Sequence, residues 1–134
     1  MKALTVQQPY AQLIAEGVKR VENRSWRTDF RGTLVIHAGL DMSGEFRSKR
    51  EETKHLPKGA IVALVELKDC VRLDLLPAAY KNHPHAHGPY CWLLEGVVAL
   101  PRPIACRGAL GLWNLAPAYA LEIQQQFAEM GRLG

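Results

Sequence analysis

The run Ala60–Val71 constrains the fold more than any other segment. It is long, dominated by Val, Ile and Leu, and follows the turn signal Lys58-Gly59. A chain carrying it must build a sheet. Further strand patterns recur at Ala3–Val6, Val18–Trp26, Gly32–Ala38, Tyr90–Leu94, Val97–Ile104 and Leu110–Leu115. Helical patterns fall between them, at Pro9–Glu16, at roughly Ser43–His55 and at Pro117–Met130. Many strands at close spacing with inserted helices predict a small mixed β-barrel decorated by helices, an α+β fold. With 134 residues, no repeat and no linker, the chain reads as a single domain over residues 1–134.

Local signals sharpen the elements. Pro9 suits the first turn of a helix, Tyr10, Leu13 and Ile14 share one face, and Gly17 supplies the left-handed residue that ends it. The middle helix is polar almost throughout, as a solvated excursion from the barrel would be. The last has Ala120, Ile123, Phe127 and Met130 at helical spacing, enough to cover an open side or end of the sheet. Gly32–Ala38 is expected to pair with Val18–Arg24 as a hairpin. Its rows alternate Thr33, Val35, His37 against Leu34, Ile36, Ala38, and one of them must be core. His37 is then either a cleft residue or a core histidine bonded to a backbone carbonyl. Glu66 interrupts the apolar row Ala60, Val62, Leu64, so it sits at the barrel mouth or requires a cationic partner.

Nearly half the residues are hydrophobic and 22% are charged, which is ordinary for a globular protein. No run approaches the roughly 18 apolar residues that span a bilayer, and the N-terminus enters a strand pattern with no leader-like segment. Cys70, Cys91 and Cys106 are an odd set without CxxC spacing, expected as reduced core thiols of a cytoplasmic protein. The tract His83-Pro84-His85-Ala86-His87 has no Asp, Glu or Cys at fixed spacing to complete a metal set. It reads as a flexible loop, and neither metal nor cofactor is expected. A Gly-rich phosphate loop, a G-x-S-x-G elbow and a locally supported Cys/His pair are all missing.

The chemistry concentrates elsewhere. The net charge is +4, and residues 18–31 hold five cations (Lys19, Arg20, Arg24, Arg27, Arg31) against Glu22 and Asp29. In an extended strand Glu22, Arg24 and Trp26 share a face, and Val21 and Asn23 take the other. Arg forks onto phosphate, Lys acts as a point charge, and Trp26 is either a stacking platform for a base or a core or rim aromatic. The alternative is a solvated surface ion pair between Glu22 and Arg24.

The order Gln8-Pro9-Tyr10-Ala11, Gly17-x-Lys19-x-x-Glu22-x-Arg24-x-Trp26-x-Thr28 and Arg31-Gly32-x-Leu34-x-Ile36-His37-Ala38 resembles the ASCH domain. Gly59–Val62, Val65–Leu67, Pro89–Trp92 and Arg107–Trp113 continue the resemblance, which covers about Ala3 to Leu115. Tyr10 stands where the family often has Trp. The resemblance implies a PUA-like barrel whose charged cleft holds RNA or a nucleotide, with an unpaired or modified base recognised by side chains. Lys19, Glu22 and Arg24 line that cleft, Gln8, Trp26, His37 and Glu66 are candidate neighbours, and no obligate protein partner is evident. Some family members resemble amidohydrolases of an acetylated cytidine and others are linked to RNA cleavage. Lys19 and Glu22 are therefore the candidate acid/base pair of an alternative hydrolase reading. Glu22 stands where the amidohydrolase subgroup carries its threonine nucleophile, a departure from that subgroup's scheme because a carboxylate does not simply replace a hydroxyl.

Overall fold

A computed structural model of the chain describes residues 1–42, 44 and 53–133. The elements are β1 (Lys2–Gln8), α1 (Tyr10–Ala15), β2 (Val21–Arg24), β3 (Gly32–Met42), β4 (Ala60–Arg72), β5 (Tyr90–Ala105), β6 (Leu112–Asn114) and α2 (Pro117–Leu133). They form one six-stranded sheet in the order β2-β5-β4-β3-β1-β6. Neighbours are antiparallel except β1 and β3, which run parallel from Lys2 opposite Leu34. The polar helix expected over Ser43–His55 falls mostly outside the described residues.

The long apolar run becomes β4, the spine of the sheet, with β3 on one side and β5 on the other. Both faces are buried. One core gathers Leu4, Ile14, Leu34, Ile36, Val65 and Trp92; the other gathers Ala3, Val35, Ile61, Leu64, Ile104 and Ile123. β3 is thus core on both faces rather than one. Register shifts on β4 either side of Ala63 and Leu64 reset the alternation, so Val62 and Leu64 join different cores despite their spacing. The two expected strands Tyr90–Leu94 and Val97–Ile104 are one strand, β5, continuing through Gly96 at φ +57° against an equally continuous β4.

The expected hairpin between β2 and β3 does not form. β3 is an interior strand whose edges are taken by β1 and β4, and β2 pairs with β5 from Val21 opposite Leu93 to Arg24 opposite Tyr90. Val21 thereby enters a small third core with Tyr80, Cys91 and Leu93. β2 also starts later than the pattern predicts, because the backbone amides of Val18 and Lys19 are held by the Leu13 carbonyl at the end of α1. Gly17, at φ +79°, makes that turn as expected.

No ladder among the described residues joins β2 to β1 or β6, so the barrel is open along that seam. Arg24 crosses it, its Nη2 donating to the Thr5 carbonyl at 2.7 Å. At the other end of the molecule α2 packs along β5. Ile123 is buried there, and Gln126 exchanges two hydrogen bonds with the Arg102 backbone.

Candidate functional site

The seam opens into a cleft of about 540 Å³ whose floor is an ion cluster. Lys19 leaves the end of α1 and enters the interior, where its residue is only 4% exposed. Its ammonium lies 3.2 Å from Glu22 Oε1 and donates to the Val21 carbonyl. Glu22, 8% exposed, receives Arg24 on its other oxygen, from Nε at 3.0 Å and Nη2 at 2.8 Å. Strand alternation places Glu22 and Arg24 on one side, as the spacing predicts, and the turn at Gly17 delivers Lys19 to the same point. Burial lowers the Lys19 pKa from the ordinary lysine value, and the Glu22 carboxylate opposes that shift only in part.

The remaining basic residues of the segment are mostly paired internally. Arg27 pairs with Asp29, Arg31 with Asp69, and Arg20 stands 4.9 Å over the Tyr80 ring. The cation-rich stretch is therefore an ordering device for the 25–31 connection as much as a charged surface.

Trp26 lines the cleft while standing edge-on against Trp92, ring centroids 4.8 Å apart at 89°, which joins the core and rim readings of that residue. His37 lies beyond Arg24 in an adjoining cavity. Its two ring nitrogens meet Thr5 Oγ1 at 3.1 Å and the Cys106 carbonyl at 2.7 Å, and its ring packs edge-on to Trp113. It takes the part of a buried histidine satisfied by a backbone carbonyl. Gln8 and Glu66 fall outside both cavities. Gln8 is buried under α1, donating to the Pro57 carbonyl and accepting from the Gln12 amide. Glu66 faces Thr33 and Glu95 across the ladder and makes no ion pair with a described residue.

Several cleft residues escape the sequence reading. Thr5, Gln7 and Tyr10 come from β1 and α1, and His85 and His87 from the loop before β5. That loop is pinned rather than loose. Asn23 Nδ2 donates to the His85 carbonyl at 2.8 Å, and its Oδ1 accepts from His87 and Gly88 at 2.9 and 2.7 Å. The one signal for it in the sequence is Asn23, a single amide on the row opposite Glu22. His85 meets the Tyr10 ring edge-on at 6.4 Å, and burial followed by the charge of Lys19 lowers its pKa below the usual histidine value. The three cysteines are free and buried.

The sequence pattern of the ASCH domain matches residues 4–126. The chain is 36% identical over 126 residues to human (Homo sapiens) Activating signal cointegrator 1, covering 84% of this chain and 22% of that protein. The mouse (Mus musculus) protein of the same name is 37% identical over 81 residues, covering 51% of this chain and 14% of that one. The chain thus spans less than a quarter of the length of the curated relatives it matches. The crystal structure of ASCH from Zymomonas mobilis aligns with a TM-score of 0.55 at 15% identity, covering 96% of this chain and 93% of that one. A single-residue variant of it aligns at 0.59 and 15% identity, covering 96% and 94%. At that identity the likeness concerns the fold.

Proposed function

The chain belongs to the ASCH domain family, with a PUA-like fold, and we propose that it binds single-stranded or looped RNA, taking one unpaired nucleotide into the cleft beside Lys19, Glu22 and Arg24. The observation that carries this reading is the ion cluster: two cations on one carboxylate leave a net positive charge at the floor of a cleft rimmed by Tyr10, Trp26 and His85. Phosphate supplies the complementary charge, and a base supplies the flat partner for the rings. Arg24 presents the phosphate donors, because Glu22 and the Thr5 carbonyl already fix its guanidinium. Anisotropy of a labelled single-stranded RNA at two salt concentrations tests the reading. Affinity should fall with salt at a slope of about −0.7 per neutralised phosphate. A preference for duplex, or indifference to salt, would remove it.

A second reading draws on one observation, the lowered pKa of a buried lysine held against a carboxylate. On it, Lys19 and Glu22 act as a proton-transfer pair in hydrolysis of RNA or a modified nucleoside. Glu22→Gln separates the two: loss of turnover with binding retained supports hydrolysis, and altered ligand preference without turnover by either protein supports binding. Among the described residues no helix is long and apolar enough to cross a membrane.

A further inference from the structure

Arg24 belongs to two cavities. Beyond it, away from Lys19, lies a second space of about 800 Å³ beneath the Arg107–Gly111 loop. Thr5, Gln7 and Arg24 line both spaces, so they form a waist between adjoining compartments. Each volume falls within the range of small-molecule sites, about 300–1,000 Å³. At the waist Arg24 commits Nε to Glu22 and Nη2 to Glu22 and the Thr5 carbonyl. Its Nη1 N–H groups have no acceptor among the described residues, and they are held by a guanidinium that cannot rotate without breaking those bonds.

The far wall is built. A Cβ on Gly108 would lie 2.7 Å from His37 Cε1 and 2.8 Å from Thr5 Oγ1, so the loop backbone rests directly on both side chains. Leu40, Ala109 and Leu110 give the cavity apolar surface, Leu110 being 98% exposed at the loop tip. Asp41 on its rim disfavours a phosphate inside. Arg107, exposed at the mouth, makes no ion pair with a described residue.

Resting on the RNA-binding reading of the first cleft, we propose that the second cavity receives the neighbouring nucleoside of the same strand. The unit of recognition is then a dinucleotide. Arg24 Nη1 takes the bridging phosphate at the waist, the base and sugar lie against the apolar wall, and Arg107 meets the outgoing phosphate.

The test is calorimetric titration with nucleoside 5′-monophosphates, dinucleoside monophosphates and trinucleotides of the adenosine and uridine series. The dinucleoside monophosphate should bind roughly tenfold tighter than the mononucleotide. Ala109→Trp, filling the cavity from an exposed position, should abolish that gain and leave mononucleotide affinity unchanged. Arg107→Ala should weaken only the trinucleotide and make its salt slope shallower by about 0.7. An exposed control, Lys68→Ala, should change nothing. Equal affinity for one and two nucleotides, or a gain that survives Ala109→Trp, overturns the second site while leaving the first cleft intact. No binding of any of these ligands overturns both.

Discussion

Glu22→Gln tests the ion cluster as a structural unit, whatever the ligand. The change keeps the shape of the side chain and removes the charge that holds Lys19 and Arg24. Removing one partner of a buried pair costs about 3–5 kcal/mol. Here the Arg24 side chain keeps 23% exposure, so water partly replaces its lost partner. The expected loss at neutral pH is therefore about 2–4 kcal/mol. Most of it falls on Lys19, whose side chain is 3% exposed. Burial already lowers the Lys19 pKa, and Glu22 is the main influence raising it; without Glu22 it drops further. In the unfolded chain the lysine keeps its ordinary value of 10.5. Between the lowered folded value and 10.5 the unfolded chain binds more protons, so stability rises with pH across that window. The variant has the wider window and gains more. Urea melts at about pH 7 and about pH 9.5 should show a gap between the proteins that narrows at the higher pH. A gap below about 0.5 kcal/mol at neutral pH, or one that stays constant with pH, would refute the burial of a charged Lys19.

Other perturbations probe the surroundings. Asn23→Ala removes three hydrogen bonds to the 85–88 loop and should cost about 1.5–3 kcal/mol; hydrogen exchange at the His87 and Gly88 amides should accelerate more than the global loss accounts for. Burial raises the Cys91 and Cys106 thiols above the ordinary value, so a thiol reagent should modify them far more slowly in the native protein than in urea. Burial, and after it Lys19, lowers His85, so its NMR titration midpoint should lie below 6.5, and acidification through that midpoint should cost stability because the unfolded chain takes up its proton first. Inorganic phosphate bound in the cleft should move that midpoint back upward.

Legibility in the sequence depends on the range of the interaction. Ala60–Val71 and Gly17 are legible because a strand's composition and a left-handed turn are local properties. Lys19, Glu22 and Arg24 are legible for the same reason: a turn and a two-residue alternation bring them together. The pairing of β2 with β5 is not, because nothing within residues 18–38 records that β3 already has a neighbour on each edge. The order of the histidine loop is hidden for a related reason, since it comes from Asn23, some 60 positions away in sequence. Alternation along β4 fails where register shifts intervene, and two-residue periodicity carries no trace of a bulge.

The hydrogen bond from Arg24 to Thr5 has a consequence for finding the physiological ligand. It links two strands of one sheet that share no ladder, so a ligand bound there would act as a staple across the open seam. Its binding free energy should appear as heat resistance of the whole fold, about 2.7 kcal/mol at a hundredfold excess over Kd. A thermal-shift survey of nucleotides and short RNAs therefore works whatever chemistry the cleft performs, and the compounds that close the seam would identify themselves by the melt.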